Sequence, residues 1–235
     1  MLAAPAKVDP LCIGVKRGTF RVHDPDAEVK NLAYVAARLD ALRRDKWTCQ
    51  WCSASTAPIQ GAQAGSYEES GYFEIHHRDN DHGNNTPKNL ATACPFCHEV
   101  HHAGNAGHTQ RATLIWLPEM SHEDLSRLCH ALFAAMHLHN KWEMPATGIY
   151  QMLRARESQV PVELRDLKIL GTALSRLSEE EYAAREPALA GLRLLPDQAA
   201  FQRHIAYWAT RAWEAIPDWE SLLASIPQQV REIPK

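Results

Sequence analysis

Four of the six cysteines stand in two C-x-x-C knuckles, Cys49/Cys52 in T-C-Q-W-C and Cys94/Cys97 in A-C-P-F-C. Each knuckle aims two thiolates at one centre, and two knuckles complete the tetrahedral four-cysteine site of a structural Zn2+, closed to substrate. The knuckles are separated by 41 residues, more than a ribbon-type zinc site usually encloses. A further element must therefore fold inside the loop that the metal closes.

A second set of ligand-type residues lies in and beside that loop: His76, His77, Asn89, His98 and His102. The run Cys97-His98-Glu99-Val100-His101-His102 has no breaker before Gly104, which predicts a helix with His98 and His102 on one face. Two imidazoles so placed can share a metal. His76 is a third ligand, delivered by the strand predicted over Tyr72-Phe73-Glu74-Ile75, while His77 points to the other side of that strand. Asn89 follows the turn-rich D-N-D-H-G-N-N-T-P, read as an exposed loop. Asp79 and Asp81 in it could offer oxygens to a hard ion, although acidic residues in such turns serve first as turn residues.

Strand, loop and helix, carrying His-His, Asn and His in that order, resemble the layout of the ββα-metal nucleases. Residues 44–102 resemble an HNH domain of the kind that carries a four-cysteine zinc. The resemblance implies His77 as general base and Asn89 as the residue that orients it. It implies His76, His98 and His102 as ligands of a second divalent ion (Mg2+, Mn2+ or Zn2+) on a scissile phosphate. The chemistry is coherent, since a neutral imidazole titrates near working pH and a metal offsets charge developing on the phosphate.

A narrower resemblance runs from Gly18 to about Arg156. The segments T-C-Q-W-C, N-L-A-T-A-C-P-F-C and A-T-L-I-W-L-P-E-M-S-H-E-D-L-S-R-L-C-H-A-L-F-A-A-M are similar to the IcmJ family, also called DotN, a cytoplasmic component of the Dot/Icm type IVB secretion system. The T-L-I-W-L-P-E-M block lies outside the zinc region, and a general HNH nuclease has no need of it. Membership implies an HNH-like zinc fold used as a structural part of the coupling complex, bound to the coupling ATPase near adaptor proteins that collect effectors.

The elements that must position these residues follow from periodicity. Two short strands are expected over residues 11–22, around Gly18. A helix opening at Asp24-Pro25-Asp26 carries Val29, Leu32, Ala33, Ala36, Leu39 and Leu42 as its buried stripe and delivers the chain to the first knuckle. The small-residue, polar stretch between Ser53 and Gly71 reads as a mobile loop. After the second knuckle, Thr113-Leu114-Ile115-Trp116 is a strand. Ser121 then caps a helix with Asp124 at the capping-box position and Leu125, Leu128, Cys129, Leu132, Phe133 and Met136 on its core face. His122, His130, His137 and His139 on or near that helix lack partner cysteines and a shared face, so they read as solvated or hydrogen-bonded. From Lys141 onward the chain reads as helical, with stripes Leu164/Leu167/Leu170/Leu174/Leu177 and Phe201/Ile205/Trp208/Ala212/Ile216. Trp213 and Trp219 near its end are core residues or partner anchors.

The expected fold is α+β and helix-rich: an HNH-like ββα-metal core braced by four cysteines, with flanking helices and a helical C-terminal extension. The boundaries are 1–110 for the zinc-binding domain, 111–157 for a strand and helices packed on it, and 158–235 for the extension. Cys12 and Cys129 stand alone among apolar residues and behave as small hydrophobes in a reducing compartment. No basic start precedes a long apolar run, and no stretch reaches the roughly 18 apolar residues of a membrane span, so neither secretion nor membrane insertion is expected. The chain is read as cytoplasmic, held at the inner face of the membrane through its complex. Net charge is −3 overall, and residues 1–110 hold eleven Lys/Arg against twelve Asp/Glu. Duplex binding draws most of its non-specific affinity from neutralised phosphates, so this composition disfavours nucleic acid as a partner. Three readings stand: a zinc-braced component of a secretion coupling complex, an active HNH endonuclease, and a zinc module that binds nucleic acid without cutting it.

Overall fold

The computed structural model describes residues 8–16 and 27–214. The chain divides into two units, one of Met1–Pro10 with Lys16–His98 and the other of Leu11–Val15 with Glu99–Lys235.

The first unit holds α1 (Ala27–Arg44), β1 (Glu74–His77), β2 (Leu90–Ala93) and the start of α2 (Pro95–Val100). β1 and β2 pair antiparallel, with His76 opposite Ala91 and His77 opposite Leu90. α1 packs on both strands, and Arg38, Ala41 and Leu42 toward its end are buried. Of the stripe expected along this helix, Leu42 is buried but Ala33 and Ala36 are exposed, and the side chains of Val29 and Leu32 lie outside the described residues. The buried face instead includes Arg38, whose guanidinium pairs with Glu69 at 3.3 Å and donates to Ser66 O at 3.1 Å. Those bonds pin the 53–71 loop. Trp47 Nε1 donates to Glu69 O and Thr56 Oγ1 to Gly71 O.

The second unit holds the rest of α2, then α3 (Ala103–His108), β3 (Ala112–Trp116), α4 (His122–His137) and α5 (Glu143–Ala155). α6 (Leu167–Arg176), α7 (Glu179–Ala183), β4 (Leu192–Pro196) and α8 (Gln202–Glu214) follow. α4 is the central helix, packing on α5, α8 and β4, while α3 crosses α6. Ser121 caps α4 by accepting from the Asp124 N–H at 3.0 Å, and the Asp124 carboxylate accepts from the Ser121 hydroxyl at 2.8 Å. The predicted core face of α4 is buried at Leu125, Leu128, Cys129, Leu132 and Phe133. Phe201, Ile205 and Trp208 are buried as expected along α8; Ile216 and Trp219, and the side chains of Ala212 and Trp213, lie outside the described residues.

Three local expectations give way. Residues 158–214 are not wholly helical, because β4 pairs antiparallel with β3, Leu114 opposite Leu194. Gly191, at φ +83°, makes the turn into β4 against the Trp116 ring, where an added Cβ would come within 2.6 Å of it. Leu11–Val15 is not a strand but a buried strap, and residues 17–26 lie outside the described residues. Finally, the helix after the second knuckle stops at Val100 and does not run through His102. The strap is the cause: Gly14 N–H donates to Val100 O and Gly14 O accepts from Ala103 N–H, both at 2.9 Å, taking the groups that would continue the helix.

Candidate metal centres

The sulfurs of Cys49, Cys52, Cys94 and Cys97 lie within 4.8 Å of one another, and all four residues are buried. Cys52 Sγ and Cys94 Sγ are 3.6 Å apart, close to the roughly 3.8 Å between two sulfurs on a tetrahedral ion with 2.3 Å metal–sulfur bonds. The donor set therefore fits zinc.

The first knuckle is anchored by the end of α1. Arg44 donates to both carboxylate oxygens of Asp45, each at 2.7 Å, and to Leu90 O at 2.7 Å. Asp45 in turn accepts from Thr92 N–H at 3.0 Å. Helix end and β2 are thereby fixed on either side of the cysteines, and Gln50 N–H donates to Thr92 O across the same gap. Ser53, at φ +63°, closes the first knuckle by donating its N–H to Cys49 O. The second knuckle follows β2 directly, with Cys97 N–H donating to Cys94 Sγ at 3.4 Å.

Burial opposes any thiolate here, yet hydrogen bonds from Cys52, Cys94 and Cys97 hold the Cys49 thiol well below the ordinary cysteine value. Burial first, and then Cys49 and Cys52, push Cys94 and Cys97 well up.

Of the second expected group, His76 and His98 lie in the first unit and His102 in the second. His102 follows the end of α2 in a turn in which its N–H donates to Glu99 O. Trp51 meets His76 edge-on at 5.8 Å, and His76 meets His98 likewise at 5.7 Å. Glu74 adds a residue that the sequence reading missed: its Oε2 lies 2.7 Å from His98 Nδ1. An imidazole that gives its Nδ1 proton to a carboxylate presents Nε2 as its lone-pair nitrogen, the arrangement that orients metal-binding histidines. The available signal was strand periodicity, since Glu74 and His76 are two apart and share a face.

His77 faces elsewhere. The residue is 2% exposed; its ring stacks on Tyr34 at 5.4 Å and on His82 at 4.7 Å, and its Nε2 lies 2.9 Å from Asn85 Oδ1. Asn89, the expected orienter of His77, is bonded into the loop. Its Oδ1 accepts from Asp79 N–H, and its Nδ2 donates to Asp79 Oδ1 and Asn84 O. Asn89 thus braces the loop after His77, and Asn85 and His82, neither placed in the site by the sequence reading, meet the His77 ring. Asp79 is the hub of that loop. Its slight burial works against ionisation, but Asp81 N–H and the amides of Asn84 and Asn89 hold its carboxyl below the usual range. The α4 histidines stay outside both groups: His122 accepts from Leu194 N–H and His130 lies against the Trp208 ring.

Among the described residues no helix is long and apolar enough to cross a membrane. No protein-family model matches the chain. Among curated proteins it is similar to the type 4 apparatus protein DotN of Legionella pneumophila, 33% identical over 183 residues that cover 75% of this chain and 79% of the relative. The matched length places this chain in the DotN (IcmJ) family.

Proposed function

We propose that this protein is a zinc-braced structural component of a type IVB (Dot/Icm-like) secretion coupling complex. It docks to the coupling ATPase and helps recruit effectors through neighbouring adaptors. The likeness to a type 4 apparatus protein over three quarters of the chain carries this reading. Cys49, Cys52, Cys94 and Cys97 would hold one Zn2+, whose contribution is structural: it ties the end of α1 to the start of α2. A composition without a basic excess suits a protein partner better than a nucleic acid. The test is co-purification of the full chain with the cytoplasmic part of the coupling ATPase, alone and with adaptors, alongside metal analysis. A stoichiometric complex with one zinc per chain is expected; a zinc-loaded chain that never associates with ATPase or adaptors would remove the reading.

A second reading, with His76, His98 and His102 as ligands, is favoured by one observation, the meeting of His76 with a His98 ring backed by Glu74. In it the HNH-like core keeps a divalent-ion site, with His77 as the base for phosphodiester hydrolysis and Asn89 shaping the loop beside it. Binding of Mn2+ that disappears in His98→Ala is expected. Equal binding by wild type and variant would dispose of that site.

A further inference from the structure

We propose that Arg44, acting through Asp45, is the positioning residue of the four-cysteine site and sets the register in which its two knuckles meet. The inference rests on the reading of Cys49, Cys52, Cys94 and Cys97 as zinc ligands. β2 pairs with β1 along one edge, with His76 opposite Ala91 and Glu74 opposite Ala93. Main-chain groups of an antiparallel strand alternate between its two edges. Those of Leu90 and Thr92 go to the end of α1 and the first knuckle: Leu90 O accepts from Arg44, Thr92 N–H donates to Asp45, and Thr92 O accepts from Gln50 N–H. Arg44, Asp45 and Gln50 thus stand where a third strand would. Gln50 directly follows Cys49, and Cys94 comes two residues after Thr92, so this pairing decides which part of the first knuckle meets the second. A slip of one residue would present Ala91 or Ala93, whose groups belong to the β1 edge.

The Arg44 guanidinium suits this work because it joins four acceptors at once. Nε and Nη2 grip the two carboxylate oxygens of Asp45, Nη2 also reaches Leu90 O, and Nη1 donates to Pro87 O in the chain leading into β2. The two side chains are 6% and 0% exposed. A planar fork of five donors meets that arrangement, whereas a lysine ammonium offers three donors from one point. The turn that follows also has to be held. Lys46 and Trp47 stand at φ +52° and +49°, left-handed backbone that costs free energy in residues other than glycine. Trp47 N–H donates to Leu42 O and Thr48 N–H to Asp45 O, so the buried pair fixes the strained turn that delivers Cys49.

The experiment compares the full-length wild type with Arg44→Lys, Asp45→Asn and Arg38→Lys, all purified with zinc supplied. Arg38 is the control, a buried arginine on the same helix whose partners are Glu69 and Ser66 O, so the same chemical change is made away from β2. Zinc affinity is read by competition with a chromophoric chelator, ligand geometry by the visible bands of the Co2+-loaded protein, and stability by melting curves. Arg44→Lys is expected to bind zinc about 10–100-fold more weakly, the scale on which outer partners of metal ligands act, with displaced Co2+ bands. Asp45→Asn is expected to weaken binding in the same direction. Arg38→Lys is expected to melt lower while keeping its zinc affinity within about twofold and its Co2+ bands in place. Wild-type affinity and bands in Arg44→Lys would overturn the positioning role. So would an equal loss of affinity in Arg38→Lys, which would trace the effect to general stability. Where Arg44→Lys does not fold, Asp45→Asn, which keeps the shape of the acceptor, is judged by the same readings; loss of fold in both would overturn the proposal by making the pair a requirement of the fold. A wild type that holds no zinc would remove the four-cysteine reading itself, a failure that elemental analysis shows before any variant is compared.

Discussion

Glu74 Oε2 and His98 Nδ1 are 2.7 Å apart, so the strand that supplies His76 also supplies the carboxylate that orients His98. Removing such an outer partner typically costs roughly 10–100-fold in metal affinity while the direct ligands stay in place. Glu74→Gln is therefore expected to weaken divalent-ion binding by about that factor with an unchanged far-ultraviolet spectrum. Calorimetry with Mn2+ or Co2+ reads it; affinity within about twofold of wild type would leave Glu74 a surface ion pair.

The cysteine cluster makes a larger claim on stability. A Zn2+ held by these four buried thiols would contribute folding free energy, and a missing ligand would remove much of it. Cys94→Ser is expected to leave little soluble protein, and the wild type is expected to lose thermal stability when a strong chelator strips its zinc. Elemental analysis with melting curves checks both. A metal-free Cys94→Ser protein that melts with the wild type would show the four sulfurs to be packing, not ligation.

How much of this was legible in the sequence follows from the kind of signal each residue leaves. Cys49, Cys52, Cys94 and Cys97 announce themselves by spacing, and the alternation of β1 separates His76 from His77. The capping of α4 by Ser121 was equally local. What stayed hidden depends on distant chain segments. α2 ends at Val100 because a strap more than 80 residues upstream takes its hydrogen bonds. β4 is a five-residue strand whose partner, β3, lies beyond four intervening α-helices, so no local pattern pairs them. Asn85 and His82 reach His77 through loop closure, which leaves no periodicity to read.

Gly104 illustrates the same point, since its helix-breaking character hid its use as a contact. An added Cβ on Gly171 of α6 would meet Gly104 Cα of α3 at 2.4 Å, and one on Gly107 would meet Leu167 Cβ at 2.7 Å. Glycine to alanine inside a helix ordinarily stabilises by roughly 0.5–1 kcal/mol. At Gly148 on α5, where an added Cβ meets nothing within 4 Å, that gain is expected. At Gly171 overpacking against backbone reverses the sign, to a loss of about 1–3 kcal/mol. Urea unfolding of the two variants checks it, and a stabilised Gly171→Ala protein would contradict the close crossing of α3 and α6.

His122 carries the last prediction, about acid. Burial first, then the Arg193 charge, lowers its pKa from 6.5 to about 3, so its ring stays neutral and Nε2 accepts from Leu194 N–H at 3.2 Å. Because the unfolded chain takes up the proton near pH 6.5 and the folded chain does not, protons favour unfolding between those two values. His122's contribution is therefore complete above about pH 6.5, declines steadily as pH falls, and stops declining near pH 3. Between pH 6.5 and 5 the wild type should lose about 2 kcal/mol to this group, at 1.36 kcal/mol per pH unit. In His122→Gln the side-chain amide can still accept from Leu194 but does not titrate, so that slope disappears. Both proteins share the cysteines and carboxylates, and subtracting their urea-unfolding free energies at each pH isolates His122. Parallel curves from pH 7 to pH 5 would mean that the folded ring takes its proton as easily as the unfolded one, and the buried neutral imidazole beneath β4 would have to be given up.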